Sequence, residues 1–285
     1  MEDNGKIIAL LIDAENISPK YIQVIFDELS LYGTPAYKRI YGDWTSTDMA
    51  SWKKTLLENN LTPIQQFSYT QGKNASDSAM IIDAMDILYT KNCDGFCLVS
   101  SDSDFTRLAS RLRESRMSVI GMGESKTPMA FKAACDVFRY LDVLFNAKNK
   151  ASVAATQKAN EPEKAARAKK AATKPAKAGK ATKTTAPAVL EPTPIAEEPT
   201  EVPAAFLPLN ELVAKIHDVI EHDSNEEGYM SLAQVGHILG RLYVDFDTRN
   251  YGFSKLHKLL DATGEFETRS DQIPGGGQNV MVRNK

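Results

Sequence analysis

Histidine, cysteine and long apolar runs are scarce in this chain. Its 285 residues include four histidines, His217, His222, His237 and His257, and all of them lie in the last third. Histidine general-base and zinc-histidine schemes are therefore excluded from the first two thirds. Cys93, Cys97 and Cys135 are odd in number and match no metal-ligand spacing. That argues against a disulfide scaffold and a structural zinc site, and the three read as reduced core residues. No run of about 18 apolar residues occurs, and the opening MEDNGKIIALLIDAEN puts acids before a short apolar stretch. Neither a membrane span nor a signal peptide is indicated, so the expectation is a soluble, cytoplasmic protein that touches no membrane. No glycine-rich phosphate loop follows the first apolar run, and nucleotide-cofactor readings lose ground accordingly.

What is present divides the chain in three. A hydrophobic content of 42% can build real cores, and at roughly 150 residues per domain the length allows about two of them. The net charge of −3 hides an asymmetry: residues 1–147 carry −4, 148–185 carry +9, 186–205 carry −4 and 206–285 carry −4. From Lys148 the composition is Ala, Lys and Thr, and Pro187, Pro192, Pro194, Pro199 and Pro203 follow. Such a stretch buries no core. Residues 148–205 thus read as a disordered linker between a 1–147 domain and a 206–285 domain. Its lysine-rich half suits polyanions through counterion release, or else serves as a solvated spacer.

In the first domain, short β-branched runs alternate with helical periodicity. Strands are expected at 6–13, 36–42, 62–69, 95–101 and 117–123, with helices at about 19–32, 46–59, 75–91 and 104–116. This βαβ alternation predicts an α/β fold with a parallel sheet covered on both faces and its functional loops at the carboxyl edge. Asp13 ends the first strand, with Glu15 and Asn16 just beyond. The run GFCLVSS leads into Asp102 and Asp104, with Ser100, Ser101 and Ser103 as small neighbours that leave room for a ligand. In the third helix Asp77, Met80, Ile81, Ala84 and Leu88 share one stripe, and the first turn of a crossover helix also lies at the carboxyl edge. Asp13, Asp77, Asp102 and Asp104 thereby converge from three segments.

Four gathered carboxylates repel one another unless protons or a hard cation neutralise them. Oxygen-only ligands favour Mg2+ or Mn2+, as one ion or two. Such an ion suits phosphodiester hydrolysis, because it can orient and acidify water and offset charge on the phosphate. Plainer roles exist for each acid: Asp77, Asp102 and Asp104 could be helix caps, Asp136 structural, and Asp83 and Asp86, off the packed stripe, solvated. Asp13 is hardest to explain away, since an acid closing an apolar strand needs a partner.

The segments LIDAEN (11–16), KNASDSAMIIDAMD (73–86) and SSDSDF (100–105), in that order and spacing, resemble the NYN domain of LabA-like proteins, a branch of the PIN-like ribonuclease superfamily. The resemblance spans about residues 5–145. It implies a metal-dependent ribonuclease in which Asp13, Asn16, Asp77, Asp102 and Asp104 match the family's site. It also brings in Asp83 as a further metal ligand. The family's SGDGDF-like turn reads SSDSDF here, with serines in place of both glycines and every acid kept. Lys73, Arg107, Arg111, Lys126 and Lys132 are candidate phosphate contacts around that cleft, Lys73 and Arg107 foremost, and Tyr41, Trp44 and Phe67 are candidates for base stacking.

Beyond the linker, apolar spacing predicts helices from Leu209, Ser231 and Tyr251, followed by a hairpin of 266–270 and 279–284. Three helices and a wing make a winged helix-turn-helix. SLAQVGHILGRL and NYGFSKLHKLLDATGEFE are similar to the OST-HTH or LOTUS domain, which in other proteins binds RNA or docks a helicase. The third helix offers Lys255, His257 and Lys258 to a partner, with Arg249 and Arg269 nearby, although a domain of net charge −4 is a poor non-specific binder of nucleic acid. The combined expectation is a metal-dependent ribonuclease with a tethered RNA-binding module. A non-catalytic RNA-binding or protein-docking adaptor is the alternative, and the oligomeric state is left open.

Overall fold

The first strand, β1 (Ile7–Asp13), has six of its seven residues buried, which requires cover on both faces. In the computed structural model, which describes residues 5–67, 75–150, 206–273 and 277–285, that cover is present. Lys73 and all but the first three residues of the expected linker's 148–205 span lie outside the described residues. β1 is joined by β2 (Thr34–Gly42), β3 (Thr62–Gln65), β4 (Gly95–Val99), β5 (Ser118–Gly123) and β6 (Val137–Tyr140). All pairings are parallel and the order is β3-β2-β1-β4-β5-β6.

Alternate residues of β1 feed two separate layers, as the two-residue period of a strand dictates. Ile8, Leu10 and Ile12 face α1 (Ile22–Leu29) and Trp52 of α2 (Trp52–Asn59). Leu141 and Leu144 of α6, a helix over residues 141–150, join that side. Ala9 and Leu11 face α3 (Ala75–Thr90), α4 (Thr106–Glu114) and α5 (Met129–Ala134), through Met80, Ala84, Leu108, Leu112 and Phe131. The stripe read on α3 holds at four of its five positions: Asp77, Met80, Ala84 and Leu88 are buried, and Ile81 is half-buried. In such a sheet the strand order reverses direction between β1 and β4, so the crevice outside their carboxyl ends is where ligands bind.

Three expected helices open differently. Residues Pro19–Tyr21, Thr47–Ser51 and Ser103–Phe105 form 3-10 turns ahead of α1, α2 and α4. β3 stops at Gln65, short of the expected 69. β6, α5 and α6 were not foreseen, because FKAACDVFRYLDVL carries no clean period and β6 is only four residues long.

In the C-terminal part, α7 (Leu209–Asp223), α8 (Leu232–Leu242) and α9 (Leu256–Thr263) pack with a three-stranded sheet. That sheet is antiparallel, ordered β7 (Met230–Ser231), β9 (Gly277–Asn284) and β8 (Phe266–Ile273). Leu212, Ile216, Val235, Leu239, Leu259, Leu260, Phe266 and Val282 are its core. The third helix starts at Leu256 rather than Tyr251. Thr248–Tyr251 is a 3-10 turn closed by Gly252 at φ 84, a left-handed conformation that breaks the helix. The described residues up to 147 and from 206 onward belong to one compact unit. No described helix is long and apolar enough to cross a membrane.

Candidate active site

β1 ends where Asp13 turns its carboxylate back on its own chain. Oδ1 accepts the backbone N–H groups of Glu15 (3.1 Å) and Asn16 (3.2 Å), while Oδ2 accepts Asn16 Nδ2 (2.8 Å) and the Ser100 hydroxyl (2.7 Å). With four donors, a carboxylate that is only 2% exposed is fully satisfied. Ser100, wholly buried just after β4, also accepts the Asp102 N–H (3.0 Å). One hydroxyl thereby ties the ends of β1 and β4 together.

Asp102 is the N-cap of the next turn, its Oδ1 accepting the Asp104 N–H at 2.9 Å. The capping role read from the sequence is real, and it coexists with a second one. One carboxylate oxygen from each of Asp77, Asp102 and Asp104 can be chosen so that all lie within 4.8 Å of one another. Asp77 sits buried in the first turn of α3, Asp102 is half-buried and Asp104 exposed, so the cluster opens from the crevice to solvent. Burial, then the charges of Asp13, Asp102, Asp104 and Glu15, push the Asp77 carboxyl up to about 7. Protonation or a cation relieves that repulsion, and an all-carboxylate donor set fits a hard divalent ion.

The other sequence candidates divide. Arg107 is exposed on the first turn of α4 and makes no ion pair among the described residues. Arg111 turns to Glu114 and Ser115, and Lys126 pairs with Glu124 at 2.9 Å. Lys132 is buried, and its Nζ donates to the Tyr140 hydroxyl (2.9 Å), so it is not a phosphate contact in the cleft. Asp83 is neither solvated nor part of the acidic group: its carboxylate accepts from Arg39 and from the Tyr41 hydroxyl. Tyr41 is itself buried, which removes it as a stacking surface. Trp44 lies beyond β2 with its backbone N–H on Gln65 Oε1 (2.8 Å) and its indole N–H on the Ile64 carbonyl (2.9 Å), leaving the ring half-buried. Phe67 is half exposed.

On the winged helix, Lys255 and Lys258 are exposed at the start of α9 and make no ion pair among the described residues. Arg269 is paired with Asp271 and Glu227, and Arg249 with Glu28 and Asp247, so neither is a free cation beside α9. Sequence reasoning read Ser100 only as a small neighbour. The signal for more was a serine closing an apolar strand beside one that ends in a buried acid.

A doubly wound parallel sheet with carboxylates gathered at its β1/β4 crevice defines a PIN-like α/β domain. The chain carries an NYN domain over residues 7–142 and an OST-HTH/LOTUS domain over residues 208–277. No curated protein is detectably similar to it. Among solved structures, a protein of unknown function, VPA0982, from Vibrio parahaemolyticus is 16% identical; the match covers 48% of this chain and 94% of that one, with a TM-score of 0.40. An uncharacterized protein from gene locus NE0665 of Nitrosomonas europaea is 30% identical over 35% of this chain and 92% of its own, with a TM-score of 0.24.

Proposed function

We propose that this protein is a metal-dependent ribonuclease whose NYN domain cleaves RNA phosphodiester bonds and whose OST-HTH/LOTUS domain binds RNA. The observation that carries the reading is the Asp77, Asp102 and Asp104 group, with Asp77 driven up to about 7 by burial and then by the acids around it. Those three would hold Mg2+ or Mn2+, while Asp13, its oxygens already engaged by four donors, would add negative charge near Asp77. When bound, such an ion supplies positive charge against phosphate oxygens and lowers the pKa of the water it touches. The chain's own residues do the rest. Asn16 and Ser100 hold Asp13 in one orientation, and Asp102 fixes the turn that presents Asp104. Arg107, Lys255 and Lys258 offer unpaired charge to the phosphate backbone, with Lys73 as a further phosphate contact. The three buried, free cysteines suit a reducing, cytoplasmic setting.

The test is incubation of the purified protein with labelled single-stranded and structured RNA in Mg2+, Mn2+ or EDTA, beside Asp102→Asn. Cleavage that requires metal and falls at least about hundredfold in the variant supports the reading. Binding without cleavage of any substrate moves it to an adaptor. One observation favours that second reading for the C-terminal domain: on the wing Arg269 and Arg283 both sit in ion pairs, as does Arg249 in the turn before α9.

A further inference from the structure

We propose that the segment 243–249 is a clasp that docks the winged-helix domain of this same chain onto the edge of the parallel sheet, so that the two domains move as one body. This goes beyond the nuclease reading and stands without it. β6 closes one side of the sheet, and a strand in that position presents unpaired backbone groups. The loop after α8 takes them. Phe138 N–H donates to the Val244 carbonyl (2.8 Å), and the Arg139 guanidinium reaches the Phe246 carbonyl (3.5 Å).

The clasp matches the alternation of the strand it covers. On the α5 side, Tyr140 donates its hydroxyl proton to Asp245 (2.6 Å), and the same hydroxyl receives Lys132 Nζ. On the α1 side, Glu28, only 4% exposed, takes both prongs of the Arg249 fork (2.8 and 2.9 Å) as well as Arg139 Nε (3.0 Å). Asp247 accepts from Arg249 as well and lies 3.7 Å from Arg139. Two acids and two arginines cancel, and each is hydrogen-bonded, the condition under which buried charge is tolerated. Removing one leaves its partners buried and uncompensated. The Phe206 ring packs between Tyr140 (6.0 Å) and Tyr251 (5.3 Å), adding an apolar contact across the same junction. The loop and the sheet edge match in charge, and the covalent connection raises the loop's effective concentration at its own β6. Arg249 is thereby consumed as an anchor, whereas Lys255 and Lys258 stay exposed and are held in a constant orientation to the acidic crevice.

The test uses the full chain with Lys53→Cys and Glu221→Cys, both exposed positions, carrying spin labels; the native cysteines are buried. The distance between the labels is read by pulsed electron resonance. One narrow distance is expected, unchanged when the labelled chain is diluted about twentyfold with unlabelled protein. Arg249→Glu should broaden it by lowering the docked-to-undocked ratio at least about hundredfold. Tyr140→Phe, which deletes one hydroxyl and cannot misfold the arginine cluster, should lower the ratio about tenfold. A broad distribution in the parent, or a peak unmoved by both substitutions, overturns the proposal. So does a peak that vanishes on dilution, in which case the docked domain comes from a second copy.

Discussion

Replacing Asp77 by Asn should make the metal-free protein more stable while removing its function. The Asp77 carboxyl ordinarily titrates at 3.8 and is pushed up to about 7 by burial and by Asp13, Asp102, Asp104 and Glu15. Between those values the folded chain keeps a proton that the unfolded chain has released. Stability therefore falls as pH rises from about 4 to 7 and is flat above, opposite in sign to an acid held by a cation. At about 1.4 kcal/mol per unit the loss is at most about 4 kcal/mol. Asp104 is exposed and screened by water, so about 2 kcal/mol is expected. Asparagine keeps the shape and loses the charge. Urea unfolding in EDTA should show Asp77→Asn and the parent alike near pH 4, with the variant about 2 kcal/mol more stable at pH 8. That is on the order of 6 °C in Tm. Adding Mg2+ at pH 8 should raise the parent's Tm and leave the variant's almost unchanged. If the variant is no more stable than the parent at pH 8 without metal, the acids do not repel one another as described, and the case for a cation there falls with it.

Three further outcomes follow from the geometry. Ser100→Ala deprives Asp13 of a donor and the Asp102 N–H of its acceptor, so it should cost about 1–3 kcal/mol in urea unfolding; a cost under about 0.5 kcal/mol would deny its role in tying β1 to β4. Gly121→Ala would put a Cβ 2.6 Å from both Cys135 Sγ and the Phe138 ring, and should destabilise by about 1–3 kcal/mol; a neutral result would mean that β6 shifts freely. Lys255→Ala and Lys258→Ala should each weaken RNA binding and reduce the slope of log affinity against log salt by about 0.7; unaltered slopes would point the winged helix toward a protein partner.

Much of the acidic site was legible because its signals are local. An apolar strand that ends in an acid, a helical stripe that begins with one and a serine-flanked Asp-x-Asp each declare a place at the carboxyl edge. Their convergence then follows from parallel topology alone. Asp83 went the other way. Its position off the stripe indicated solvent, yet Arg39 and Tyr41 reach it from β2, a strand more than 40 residues earlier. Lys132 and Tyr41 were misread for the same reason, since burial of a polar tip depends on a partner that helical or strand period does not reveal.

The sequence by itself determined the layered α/β design, the change of composition at residue 148, the absence of histidine from the first domain and the placing of four acids at the carboxyl edge, because period, composition and order are properties of neighbours along the chain. That Asp77, Asp102 and Asp104 form the close group while Asp13 is held by its own donors was decided by the fold. The tertiary structure alone decided the short strand β6 and the clasp that covers it, and which cations are free and which are already bound. Glu28 and Arg249 are 221 residues apart. Only the folded sheet, by leaving an edge that needs a partner, brings them to one place.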